Sequence, residues 1–191
     1  ILVLIGEQGL YKTTWFNFLL PPELRCYFYT KTNSDRLNKD DLFSLTEFAL
    51  ICFEELDGMR PAELNQLKAM VTMPYVNERA AYGRNKERHP HIASFCGTGN
   101  NVQFLTDPTG NRRWLPFEVS QIRDPHLHAI PYELVYSQAY ALWKSGFCHW
   151  FSQEEIRKLN MHNSRFEVPN LEEDLIRTHF RKPFEGEAGI F

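Results

Sequence analysis

Apolar positions along this chain cluster in short continuous runs, and between them polar and apolar residues recur at helical spacing. Residues 1–5 (Ile-Leu-Val-Leu-Ile), 48–53 (Phe-Ala-Leu-Ile-Cys-Phe) and 91–97 (His-Ile-Ala-Ser-Phe-Cys-Gly) read as strands buried on both faces, the pattern that a covered parallel sheet requires. Further strands are predicted near residues 26–30 and after Trp114. Helices are predicted after Lys12, over residues 39–48 and over residues 60–69. In the last of these Pro61 occupies the first turn, and Leu64, Leu67, Lys68 and Val71 share one buried face.

Beyond Val119 the pattern changes. Asp124-Pro125 and Ile130-Pro131 mark a linker, residues 132–144 read as a helix that stops at Gly146, and Ser152-Gln153-Glu154-Glu155 opens another. Asn170 precedes a last helix in which Leu171, Leu175, Ile176 and Phe180 form an apolar stripe. Trp143 and Trp150 are expected in the core of this part, and residues 181–191 are expected to extend or fray. The fold expected is α/β, a three-layer P-loop NTPase with a central, mainly parallel sheet flanked by helices. Residues 1–122 form that core, and residues 123–191 form a small helical C-terminal subdomain and tail.

At 191 residues, with 43% hydrophobic and 14% aromatic content, the chain has enough apolar material for a packed core. Its net charge of −3 lacks the global basic footprint of a dedicated nucleic-acid binder, so any such contact must be local. The four cysteines, at positions 26, 52, 96 and 148, form no C-x-x-C pair, and Cys52 and Cys96, inside predicted core strands, fit buried apolar roles; a reducing cytoplasm is favoured over a disulfide scaffold. No run approaches the roughly 18 apolar residues of a membrane span, and a cytoplasmic location is expected.

Candidate chemistry begins at the end of the first strand. Gly6-Glu7-Gln8-Gly9-Leu10-Tyr11-Lys12-Thr13-Thr14 follows G-x-x-x-x-G-K-[ST] except that Tyr11 replaces the second glycine. In such a loop backbone N–H groups surround the phosphates of ATP, a lysine reaches the β/γ oxygens and a hydroxyl holds Mg²⁺. Lys12 and Thr13 are the candidates for those last two roles. Because Tyr11 stands where glycine is favoured for a left-handed turn, the loop is expected to use another conformation or to shift its turn to Gly9.

The second apolar strand ends in Glu54-Glu55, where acids are costly unless a cation or hydrogen bonds compensate them. Glu54 is the candidate for Mg²⁺, through its water shell, and Glu55 for the general base toward the attacking water. The third strand runs into Thr98-Gly99-Asn100-Asn101, at the edge where open α/β sheets bind ligands. An asparagine there orients the lytic water or contacts the γ-phosphate, although Asn-Gly clusters also make plain turns. Arg112 and Arg113 then enter the next strand from a turn; one of them is a candidate arginine finger for a neighbouring subunit, against an ordinary surface hairpin.

The residues Glu55-Leu56-Asp57-Gly58-Met59, Glu63 to Ala69, Asn77-Glu78-Arg79-Ala80-Ala81-Tyr82-Gly83-Arg84 and Leu105-Thr106-Asp107-Pro108-Thr109-Gly110-Asn111-Arg112-Arg113-Trp114 carry a family resemblance. Over its first 120 residues or so the chain resembles the virulence-associated protein E group of P-loop proteins, which are similar to superfamily 3 helicases and occur on phages and mobile elements. The resemblance implies an ATP-binding, ATP-hydrolysing helicase-like domain of a primase-helicase type replication protein, with Asn100 as sensor 1 and Arg112 or Arg113 as the finger. It implies a ring, with a hexamer as the expected form. It also implies a basic hairpin, here Arg79, Tyr82, Arg84 and Lys86, that grips single-stranded nucleic acid, DNA before RNA. Family members are longer, and Ile1 at the very start of the first strand suggests a trimmed fragment.

Two further readings stand beside the helicase: a nucleotide-dependent switch or assembly module that binds ATP with little turnover, and a phosphotransferase acting on a small acceptor.

Overall fold

The computed structural model describes residues 1–32, 38–79, 84–106, 111–169 and 171–180. In chain order the elements are β1 (Leu2–Ile5), α1 (Lys12–Asn17), β2 (Phe28–Lys31), α2 (Lys39–Glu47), β3 (Leu50–Phe53), α3 (Pro61–Val71), β4 (Tyr75–Glu78), β5 (Glu87–Pro90), β6 (Ser94–Gly99), β7 (Leu115–Glu118), α4 (Tyr132–Lys144), α5 (Gln153–Asn163) and α6 (Leu171–His179). Short 3₁₀ turns lie at Pro22–Tyr27, Leu56–Gly58, Asn111–Arg113 and Ser164–Phe166.

The apolar runs pair into one five-stranded sheet in the order β2-β3-β6-β1-β7, and each of these pairings is parallel. Successive strand residues face opposite sides. Val3, Ile5, Ile51 and Phe53 therefore point into one core with Leu64 and Leu67 of α3, Trp114 and Phe166. Leu4, Cys52 and Cys96 point into a second core with Phe16 of α1. Cys52 and Cys96 stand opposite each other in the β3–β6 register, both buried as the sequence predicts. Helices on both faces of a parallel sheet give the three-layer α/β arrangement expected from the sequence.

Three expectations are corrected. The strand placed near residues 26–30 is β2 and starts at Phe28, because residues 22–27 wind into a 3₁₀ turn behind Pro21-Pro22. The strand placed at residues 91–97 is β6 and starts at Ser94. The N–H groups of Ile92 and Ala93 donate instead to the Leu45 carbonyl near the end of α2, at 3.0 and 3.2 Å. Trp143 and Trp150 are not core residues: they are 72% and 67% exposed.

The residues after 122 behave in two ways. No α4 side chain is buried, and that helix is tied to the body where the Tyr132 and Tyr136 hydroxyls donate to the Phe18 and Leu19 carbonyls at 2.7 and 2.9 Å. By contrast α5, opened by a Ser152–Glu155 capping box, packs against β7 and the Asn111–Arg113 turn that precedes it. Asn163 donates to the Asn111 and Trp114 carbonyls at 2.8 and 3.0 Å, and Phe166 joins the main core. Leu175, Ile176 and Phe180 are exposed, and residues 181–191 lie outside the described residues. Among the described residues no helix is long and apolar enough to cross a membrane.

Candidate functional site

Strand order decides which sequence signals meet. β6 lies between β1 and β3, so the loop after β1, the acids after β3 and the asparagines after β6 emerge side by side at one edge of the sheet. That is the edge where a parallel sheet opens a crevice for ligands. Residues 8–14, Glu54, Glu55, Thr98 and Asn100 line a cleft there of about 350 Å³.

The loop leaves β1 at Gly6, whose N–H donates to the Gly99 carbonyl at 3.2 Å. A Cβ on Gly6 would lie 2.3 Å from the Val119 carbonyl oxygen, so the close approach of the chain after β7 demands glycine. Gly9 is left-handed at φ +86°, and Tyr11 is left-handed as well, at φ 59° and ψ 20°. The expectation of an altered or shifted turn is therefore corrected in part: Gly9 does turn, but Tyr11 also adopts the conformation a glycine would take. A non-glycine residue there costs about 1–2 kcal/mol. From Tyr11 the chain enters α1, its carbonyl accepting the Trp15 N–H at 2.7 Å.

That turn directs Lys12 inward. Its ammonium, on a residue only 8% exposed, donates to the Gly6 and Glu7 carbonyls at 2.6 and 2.7 Å and to Asn100 Oδ1 at 3.2 Å. All three are neutral acceptors, so the cation is held in place without being neutralised by them. Burial pushes its pKa below the ordinary lysine value of 10.5, and the nearby Asp57 carboxylate opposes that shift. Thr13 Oγ1 donates to Glu54 Oε1 at 2.7 Å. A hydroxyl and a carboxylate side by side form an oxygen donor set suited to Mg²⁺, which binds through one or two carboxylates and keeps several waters. The residues present thus fit a phosphate-bound Mg²⁺.

Glu55, the second acid, is exposed and left-handed at φ 54°, where the chain leaves β3 for the Leu56–Gly58 turn. That turn brings in Asp57, which the motifs did not single out as a site residue. Asp57 accepts the backbone N–H groups of Asn100 and Asn101, at 3.1 Å on Oδ1 and 3.2 Å on Oδ2. A Cβ on Gly99 would sit 2.9 Å from Ile5 Cδ1 and 3.1 Å from Asp57 Oδ1, so that glycine makes room for both the core side chain and the carboxylate. The sequence does hold a clue to it, a third acid two residues after Glu55 within the segment that carries the family resemblance. Thr98, which also lines the cleft, lies in the segment that the sequence places at this edge, although its residue type alone assigns it no role.

The remaining candidates lie elsewhere. Arg112 and Arg113 precede β7, and the Ile1 nitrogen donates to the Arg113 carbonyl at 2.6 Å, so the pair sits beside the start of β1. The cleft opens at the other end of that strand, about 13 Å away for four residues at about 3.3 Å each. β4 and β5 form a two-stranded antiparallel ribbon with Glu78 opposite Glu87, and exposed Arg79, Arg84 and Lys86 extend from its tip. Tyr82 lies outside the described residues. The ribbon runs through His91 into the start of β6, so its base is also at the edge away from the cleft. The Arg88 guanidinium lies 3.6 Å from the centre of the Tyr75 ring, a cation–π contact along the ribbon.

No curated protein matches the chain significantly. Two solved apo structures of the C-terminal region of NrS-1, residues 305–718, resemble it, at 12% and 13% identity and TM-scores of 0.47 and 0.48. The match covers 86% of this chain in both cases, but the chain spans only 33% and 35% of the length of those neighbours. The family model of the virulence-associated protein E-like domain matches residues 1–168. With that match running from β1 to beyond α5, the chain belongs to the virulence-associated protein E-like domain family.

Proposed function

We propose that this domain binds ATP with Mg²⁺ and hydrolyses it as the helicase-like motor of a phage or mobile-element replication protein acting on single-stranded DNA. The observation that carries the reading is the meeting of Lys12, Thr13, Glu54 and Asn100 in one cleft, with Thr13 Oγ1 2.7 Å from Glu54 Oε1 and Lys12 Nζ 3.2 Å from Asn100 Oδ1.

Lys12 holds the β- and γ-phosphate oxygens, exchanging the loop carbonyls for anionic partners as charge grows on the leaving group. Thr13 and Glu54 hold Mg²⁺, which when bound neutralises phosphate charge. Glu55 accepts the proton of the attacking water as its oxygen adds to the γ-phosphorus and the bond to the bridging oxygen breaks. Asn100 orients the γ-phosphate or that water. Arg112 or Arg113, at the far edge of its own sheet, serves the cleft of a neighbouring copy in a ring. Arg79, Arg84 and Lys86, with Tyr82, contact the strand in its channel.

The test is steady-state ATP hydrolysis by this chain and by Lys12→Ala, with and without single-stranded DNA, beside a nucleotide titration. Turnover that needs Lys12 and rises with DNA is expected. Tight binding without turnover would point to the second reading, a nucleotide-dependent switch, which the Tyr11 side chain lining the cleft favours by restricting the loop. No binding at all would overturn the nucleotide reading.

A further inference from the structure

A nucleoside triphosphate has a base as well as phosphates, and the cleft around Lys12 accounts only for the latter. Thr14 lines that cleft, and the next residue of α1, Trp15, lines a second cavity of about 320 Å³. Adjacent Cα atoms are about 3.8 Å apart, so the two cavities flank a single turn of helix. The other walls of the second cavity come from the segment that follows β7. Ile122, Pro125 and Ile130 supply apolar surface, and Gln121, Arg123 and His128 supply polar groups, the arginine among them a cation.

This composition suits a planar heteroaromatic ring: one aromatic face, aliphatic walls and a few hydrogen-bonding groups. Trp15 is half-buried and packs in the second core, its ring edge-on to Phe16 at 5.4 Å. The Nδ1 of His128 lies 3.1 Å from the Asp124 carbonyl oxygen, which can only accept. That contact puts the proton of a neutral imidazole on Nδ1 and leaves Nε2 as an acceptor for an exocyclic amine. A larger cavity on the other side of the loop, about 630 Å³, is bordered by the Glu7 and Glu118 carboxylates and by Arg165, and it has no aromatic wall.

We infer that the cavity walled by Trp15, Ile122 and Ile130 seats the base of the bound nucleotide, and that it takes a purine. The inference rests on the reading of the neighbouring cleft as a triphosphate site. Stacking on Trp15 adds affinity that the phosphates alone do not provide, and the larger ring system of a purine gains more from it than a pyrimidine does.

The test is a comparison of ATP, CTP and inorganic tripolyphosphate, each with Mg²⁺, by calorimetric titration of this chain, of Trp15→Ala and of Ile130→Trp. ATP should bind about tenfold more tightly than tripolyphosphate, with CTP between them, in line with the worth of one base–aromatic stack. Trp15→Ala should bring ATP down to the affinity of tripolyphosphate and leave tripolyphosphate unchanged. Trp15 contributes to packing, so Ile130→Trp, which fills the cavity from its rim, guards against a folding defect and should have the same selective effect. Equal affinities of the three ligands in the unaltered protein would overturn the base pocket and leave the phosphate site standing, as would a decline in the variants shared equally by ATP and tripolyphosphate. Failure of all three to bind would remove both readings.

Discussion

Asp57 joins the acidic strand end to the asparagine loop: its two carboxylate oxygens accept the backbone N–H groups of Asn100 and Asn101 at 3.1 and 3.2 Å. The contact fixes Asn100, whose side chain meets Lys12, relative to the Glu54-Glu55 segment. Asp57→Ala should leave two N–H groups without their charged acceptor, a cost of about 1.5–3 kcal/mol for each such bond at most. The expected outcome is a fall in kcat of tenfold or more with ATP affinity within about threefold of the unaltered protein, since a positioning group acts more on the reacting geometry than on ground-state binding. A parallel decline of affinity and thermal stability with unchanged kcat would show Asp57 to be structural only.

Lys12 sets a pH dependence. Its pKa is lowered by burial in the free protein, and a bound polyphosphate would raise it again by pairing with the charged form. Binding therefore takes up protons and must weaken as pH rises through the free-state pKa, beginning below the ordinary lysine value of 10.5. Tripolyphosphate titrations between neutral pH and about pH 10 should show this decline, and Lys12→Ala should remove it along with most of the affinity.

Tyr11→Gly restores the residue type suited to φ 59°. Relief of the left-handed backbone, about 1–2 kcal/mol, is offset in part by the greater freedom of glycine in the unfolded chain. A net gain in stability of up to about 1 kcal/mol is expected in thermal or denaturant unfolding. Turnover equal to or above that of the unaltered chain is expected as well. Reduced stability would mean that the Tyr11 ring contributes more than its backbone costs.

Arg112 and Arg113 stand at the edge of the sheet opposite the cleft, so any part they take in hydrolysis must be played on another copy. Neither Lys12→Ala nor the double variant Arg112→Ala/Arg113→Ala should turn over alone. Mixing them should recover activity, since a subunit lacking the arginines still offers an intact cleft to the arginines of its neighbour. No recovery, or full activity of the double variant, would exclude the finger role.

The ribbon tip provides a separable test. Arg79→Ala, Arg84→Ala and Lys86→Ala in combination should weaken single-stranded DNA binding and flatten its dependence on log salt by about 0.7 for each phosphate that is no longer neutralised. Hydrolysis without DNA should stay unchanged, because the base of the ribbon lies at the edge away from the cleft. Unaltered binding and salt slope would remove the ribbon from the interface.

Much of this molecule is determined locally and can be read from the chain. The apolar runs that become β1, β3 and β6, the α3 face of Leu64, Leu67 and Lys68, the Ser152–Glu155 capping box and the stop at Gly146 follow from period, caps and glycine conformations, which neighbouring residues decide among themselves. The loop around Lys12 and the acids at 54 and 55 are legible for the same reason: each is a contiguous motif. Other features depend on which strands become neighbours. The order β2-β3-β6-β1-β7 brings Thr13 to Glu54 and Asn100 to Lys12, and the parallel course of β7 beside β1 puts Arg112 and Arg113 at the far edge. Asp57 gains its role from the same order, because its partners lie 43 and 44 residues away. The exposure of Trp143 likewise follows from where α4 docks, and that of Trp150 from the course of the chain between α4 and α5, since an aromatic residue is the same in sequence whether its face is covered or bare.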